Sequence, residues 1–195
     1  MFQIGDEHQQ FVIDTRFVSI EPLRDILESK EIIKIFHNAK FDYKFIKMWA
    51  NIECEGVYCT FLVERILSCG RHIGYGLKDL SKRYLNVELN KDVRNQFIGL
   101  SGQAYRDDQI VYGAKDVEYL CKIRVLQLPK IVDFKLEKVV DLENNAVLAF
   151  ADIEFNGISI DRDKWEVIAK ASEQEALDMR DKLDGLVKSS PELSC

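Results

Sequence analysis

Two stretches of this chain combine residue types at spacings that could do chemistry: Asn38-Ala39-Lys40-Phe41-Asp42 and Tyr112-Gly113-Ala114-Lys115-Asp116. The first follows Ile32-Ile33-Lys34-Ile35-Phe36, a β-branched run that reads as a buried strand. It therefore sits at a strand-to-helix junction, facing the crevice where α/β proteins place ligands. The second lies in a helical pattern, where i, i+4 spacing puts the Tyr112 phenol and the Asp116 carboxylate on one face. Two carboxylates delivered by separate elements can hold hard cations such as Mg²⁺ or Mn²⁺. A metal pair can activate water and stabilise the leaving oxygen in phosphodiester hydrolysis, and a tyrosine beside it can orient that water. Each stretch alone has a plainer account. A carboxylate at a helix start is favoured by the dipole, and Tyr-x-x-x-Asp is a common surface pair.

The elements that must position these residues follow from periodicity. Phe2-Gln3-Ile4 and Phe11-Val12-Ile13, separated by Gly5-Asp6-Glu7-His8, read as a hairpin. A helix follows, with Ser19 as N-cap, Pro22 in the first turn, and Leu23, Ile26 and Leu27 inward. Phe41, Phe45, Ile46 and Trp49 recur at helical spacing; core packing is the simpler role, stacking on bases the alternative. Helices are predicted over 61–67 and 77–85, the latter entered through Gly74-Tyr75-Gly76, with a loop over 86–104. A strong helix is predicted from Asp107 to Leu128, stopped by Pro129. A further helix spans about 131–154, up to Asn156-Gly157, and a charged one fills roughly 162–188. The stripe Leu136, Val139, Val140, Val147, Leu148 predicts helices that project from the α/β body and leave apolar surface partly exposed.

Composition narrows the classes. With 27 Lys+Arg against 33 Asp+Glu, the net charge of −6 gives no support to a generally basic nucleic-acid coat. It is compatible with a nuclease, whose metal-binding carboxylates add negative charge. No apolar run approaches the roughly 20 residues that span a bilayer, and the N-terminus lacks signal-peptide character. The expectation is a cytoplasmic protein, in a bacterium or a phage-infected cell. Cys54, Cys59, Cys69, Cys121 and Cys195 form no Cys-x-x-Cys pair, which fits reduced, mostly buried thiols. His8, His37 and His72 are scattered and suggest no triad. Arg71, Lys82, Arg83, Arg94 and Arg106 could meet a nucleic-acid backbone or simply line a solvated face.

Asn38-x-x-x-Asp42 resembles the second motif of DnaQ-like 3′–5′ exonucleases, and Tyr112-x-x-x-Asp116 the third motif of their tyrosine (DEDDy) subgroup. Thr60-Phe61-Leu62 through Gly76-Leu77-Lys78-Asp79-Leu80-Ser81-Lys82-Arg83-Tyr84-Leu85 resembles the segment between them. Leu142-Glu143-Asn144 and Ile153-Glu154-Phe155-Asn156-Gly157-Ile158-Ser159-Ile160-Asp161 look like the entry to the polymerase domain of family-A DNA polymerases, the bacterial DNA polymerase I type. The resemblance implies an α/β, ribonuclease H-like exonuclease domain over 1–134. Residues 135–195 would begin a helical, incomplete polymerase domain in its thumb region. It implies proofreading hydrolysis of single-stranded DNA 3′ ends with two metals, Mg²⁺ or Mn²⁺. Asp42 and Asp116 would be metal ligands, Tyr112 would position water, and Asn38 would bind substrate.

The sequence also departs from the family. The first motif, Asp-x-Glu on an opening strand, is absent; Asp14-Thr15-Arg16 puts a cation where the glutamate belongs, and Asp6-Glu7 falls in a turn. The chain is thus expected to be truncated at both ends and inactive alone. Its expected partners are single-stranded DNA and the remainder of the polymerase or a complementing chain, with no membrane. The alternatives are a non-catalytic DNA-binding or scaffold module of a split polymerase, and a ribonuclease D-like RNA exonuclease.

Overall fold

The computed structural model describes residues 1–71, 73–89, 94–97 and 102–189, apart from the side chains of Arg94 and Asn95. The chain divides into two units, Met1–Phe155 and Asn156–Cys195.

The first unit opens with the expected hairpin. β1 (Phe2–Gly5) pairs antiparallel with β2 (Gln10–Ile13), Phe2 opposite Ile13. Its turn is closed by Asp6, whose carboxylate accepts from the His8 and Gln9 N–H groups at 2.7 and 2.8 Å. Ser19 accepts from the Glu21 N–H at 3.1 Å and opens a 3₁₀ turn that runs into α1 (Arg24–Leu27), burying Leu27 while Ile26 stays exposed.

β3 (Lys34–Phe36) is shorter than its apolar run predicts, because Ile32 and Ile33 lie before it, exposed. It pairs in parallel with β4 (Val57–Cys59), a strand too short to be read from periodicity. Between them runs α2 (Ala39–Ala50). The described strands thus form two separate two-stranded sheets, β1-β2 and β3-β4.

α2 corrects an expectation. It buries Ala39, Tyr43 and Ile46, whereas Phe41, Phe45 and Trp49 face outward, with exposures of 52%, 37% and 54%. Successive rings stand tilted against each other, with centroids 4.9 and 5.4 Å apart. The helix is apolar on two faces. Periodicity merges Ile46 with the outer rings into one stripe, and only packing against β4 and the body selects the inner face.

α3 (Thr60–Leu67) and α4 (Leu77–Leu85) lie where the periodicity predicts, α4 entered through Gly76, whose N–H donates to Asp79 at 2.9 Å. Part of the expected 86–104 loop falls outside the described residues; within it, Arg94–Phe97 form a 3₁₀ turn. The helix expected over 107–128 is two: α5 (Asp107–Glu118) and α6 (Leu120–Asp133), broken at Tyr119. Pro129 lies inside α6 rather than ending it. Burial of Ile131 with Tyr58, Val63 and Leu67 rewards the final turn beyond the proline.

α7 (Glu137–Asn156) does not project from the body as expected. It buries Val140, Val147 and Ala151 in three clusters shared with β4, α2 and α3, while Val139 and Leu142 stay exposed. The second unit contains α8 (Arg162–Ser189), which buries no residue.

Candidate active site

Asp42 comes from the first turn of α2. Asn38, just before that helix, adopts left-handed backbone (φ 69°, ψ 53°), a conformation asparagine tolerates better than most residues. Its carbonyl accepts from the Phe41 N–H at 2.9 Å, so the junction turns sharply from β3 into the helix. The Ala39 N–H is directed at the Cys59 sulfur at 3.4 Å, which ties this turn to the end of β4. Asp42 is consequently half-buried beneath the helix start.

Asp116 and Tyr112 come from α5, which packs on the β1-β2 hairpin. Gly113 is buried in that contact, where an added Cβ would lie 2.7 Å from the Met1 sulfur, the end of a flexible side chain. The helix start is fixed by Gln109, fully buried, whose Oε1 accepts from the Arg106 N–H at 3.0 Å. Tyr112 is half-buried, its ring 5.9 Å from that of Phe97.

The two carboxylates influence each other. Burial first, and the negative charge of Asp116 second, push the Asp42 carboxyl up from the ordinary 3.8 to about 7. Two acids from separate elements that disfavour each other's ionisation are a situation a divalent cation relieves, and oxygen is the donor such cations prefer. Among the described residues, no group of three or more His, Cys, Asp or Glu side chains is placed to hold a metal ion.

Asp14 stands at the end of β2 and behaves oppositely. Arg16 grips its carboxylate at 2.6 Å, which holds the group below the usual carboxylate range. The same guanidinium lies 4.4 Å from the Tyr105 ring centre. Asp14 is an ion-paired strand end.

The cationic candidates are engaged within the chain. Arg83 pairs with Glu64 at 2.7 Å and donates to the Gly74 carbonyl, Lys82 pairs with Glu88, and Arg106 with Asp108 at 3.0 Å. Arg71 donates to the Ser68 carbonyl at 3.3 Å, while the Arg94 side chain lies outside the described set. His37 meets the Thr60 hydroxyl at 2.9 Å; His72 and Cys195 also lie outside that set. Cys54 and Cys59 are buried, Cys121 partly so and Cys69 exposed.

Sequence reasoning missed the polar residues that hold this scaffold. Asn144, buried on α7, accepts from the Cys59 N–H at 2.7 Å and donates to the Val140 carbonyl at 2.9 Å. Gln127, buried on α6, donates to the Thr60 carbonyl and to Glu64, both at 3.1 Å, and accepts from the Tyr58 hydroxyl. Asp152 accepts from Tyr43 at 3.2 Å and from Lys47 at 2.6 Å, and Glu154 pairs with Lys40 and Lys44, so α7 clamps the Asp42 helix. The signal was present: Asn144 interrupts the inward stripe Val140, Val147, Ala151, and Gln127 the stripe Leu120, Ile123, Ile131.

The chain as a whole matches a known class. The family model described as 3′–5′ exonuclease matches residues 1–131, and the chain belongs to this family. Its fold is α/β and ribonuclease H-like. The Escherichia coli RNase D structure matches with a TM-score of 0.69 at 20% identity, over 87% of this chain and 43% of that one. Brucella melitensis NrnC with bound Mg²⁺ matches with a TM-score of 0.61 at 19% identity, over 69% and 64%.

DNA polymerase I of Rhizobium leguminosarum is 25% identical over 148 residues, 72% of this chain and 14% of the relative. Ribonuclease D of Jannaschia sp. is 27% identical over 106 residues, 54% of this chain and 26% of the relative. The chain thus spans about a quarter or less of these two relatives. No helix among the described residues is long and apolar enough to cross a membrane.

Proposed function

We propose that this chain is the proofreading 3′–5′ exonuclease portion of a family-A DNA polymerase, acting on single-stranded DNA 3′ ends, with residues 135–195 opening the polymerase domain. The observation that carries the reading is the electrostatic coupling of Asp42 and Asp116 across α2 and α5. These two carboxylates would hold a divalent cation, Mg²⁺ or Mn²⁺. Bound there, the cation would supply Lewis acidity toward the phosphate and a more acidic water. Tyr112, one turn before Asp116, orients the attacking water, and Asn38 meets the substrate beside Asp42. Hydrolysis adds water across the terminal phosphodiester, releasing a nucleoside monophosphate and leaving a shortened strand with a free 3′ hydroxyl.

The pair supplies only part of a two-metal donor set. Completion by a strand bearing Asp-x-Glu, from the rest of the polymerase or from a complementing chain, fits the division of the described strands into two separate sheets. The test is degradation of 5′-labelled oligonucleotides by the chain alone and by the chain joined to such a strand. Metal-dependent degradation only in the joined form, lost in Asp116→Ala, supports the reading. Degradation by the chain alone that survives Asp42→Ala overturns it.

The ribonuclease D-like reading is supported by the Jannaschia relative. RNA and DNA oligonucleotides compared in the same assay separate the two, with preference for RNA favouring the second.

A further inference from the structure

We propose that α8 pairs antiparallel with α8 of a second copy of this chain. The helix is 28 residues long and all its side chains are exposed, including Trp165 (58%), Met179 (59%), Leu183 (59%) and Leu186 (68%). A subset of its apolar and small residues falls on an unbroken 3-4 repeat, Trp165, Ala169, Ser172, Ala176, Met179, Leu183 and Leu186, while Val167, Ile168, Leu177 and Val187 lie off it. That spacing keeps one seam on one side of the helix, the pattern by which two helices wind together.

Size and charge select the partner and its direction. Beyond Trp165, the seam is small at Ala169, Ser172 and Ala176 and large at Met179, Leu183 and Leu186. A parallel copy would stack alanine and serine on themselves and leave voids at one end. An antiparallel copy sets Ala169 against Leu186, Ser172 against Leu183 and Ala176 against Met179, so each layer has one large and one small side chain.

The positions flanking the seam carry Glu173 and Arg180 on one edge and Glu175 and Lys182 on the other. Each edge runs negative then positive, and reversal of the second copy brings Glu173 to Arg180 and Glu175 to Lys182 on both sides. Within the chain these pairs are seven residues apart, about 10 Å along the axis. None of the four makes an ion pair among the described residues. The complementary surface is therefore a second α8.

Sedimentation equilibrium of the full chain over a concentration series tests this. The wild type should form a dimer, and Leu183→Glu should abolish it while circular dichroism stays unchanged. Glu175→Lys faces Lys182 with a like charge in both copies and should weaken association by at least about tenfold. Adding Lys182→Glu to Glu175→Lys should restore it, since the double swap re-creates both pairs only in the antiparallel arrangement. A wild type that stays monomeric throughout overturns the proposal. So does a dimer indifferent to Leu183→Glu, or one that the double swap fails to restore.

Discussion

Asp14 and Asp42 follow strands in the same unit, yet their environments drive them in opposite directions. Asp14 comes just after β2 with the Arg16 guanidinium on it, and its carboxyl is held below the usual range. Asp42 follows β3 in a half-buried position, with Asp116 rather than a cation as its charged influence, and its carboxyl is pushed up to about 7. A carboxylate satisfied by arginine has no need of a metal. One that is desolvated and faced by a second carboxylate stores unfavourable energy that a cation can release. The difference teaches that a candidate metal ligand is recognised by what the protein withholds from it.

The comparison breaks most visibly in activity. In the strand-completed protein, Asp42→Ala and Asp116→Ala should each lower metal-dependent degradation by at least about 10³-fold, since each would remove a donor of the proposed cation site. Asp14→Ala should leave the rate within a few-fold. Initial rates on a 5′-labelled oligonucleotide measure all three.

A stability effect of opposite sign comes next. The folded-state value of Asp42 lies above its unfolded value, so the folded form retains a proton that the unfolded chain gives up. The cost of burying this group is absent below about pH 3.8, grows as pH rises to about 7, and is constant above. Asp42→Asn should therefore stabilise the metal-free protein at pH 8 by an amount on the order of 1–4 kcal/mol, and hardly at all at pH 4. Denaturant unfolding at the two pH values checks this. For Asp14 the sign reverses. Its pairing with Arg16 contributes stability above the ordinary carboxylate range, lost as pH falls through that range, and Asp14→Asn should cost a little at neutral pH and nothing in acid.

The scaffold supplies the third test. Asn144→Ala strands the buried Cys59 N–H and should destabilise the fold by about 1–3 kcal/mol, measured by the same unfolding experiment at pH 8. A still smaller effect distinguishes the sites by ligand. Mg²⁺ or Mn²⁺ should raise the midpoint of thermal unfolding in the wild type and in Asp14→Asn, but not in Asp42→Asn or Asp116→Asn.

Much of this was legible in the sequence where local chemistry dictates structure. The hairpin was marked by its turn between two short apolar runs, and α4 by the Gly76 entry and its stripe. Asp42, Tyr112 and Asp116 were readable only as candidates, from the co-occurrence of the two stretches and their resemblance to family motifs. What was not legible depends on a partner distant in the chain. Phe41, Phe45 and Trp49 look like core because α2 has two apolar faces, and only the position of the body chooses Tyr43 and Ile46. Pro129 looks like a stop because the burial of Ile131 beneath α3 is invisible locally. β4 has three residues, too few for any period. The docking of α7 depends on Asn144 meeting Cys59, a pairing across 85 positions of sequence that no window contains.

The most direct test of the coupled carboxylates is titration of the Asp42 side chain by carbon NMR in the metal-free protein, repeated in Asp116→Asn. The account predicts a midpoint near 7 that falls in the variant yet stays above 3.8, because burial is the larger cause and Asp116 the second. A midpoint at the ordinary carboxylate value, unmoved by Asp116→Asn, would contradict it.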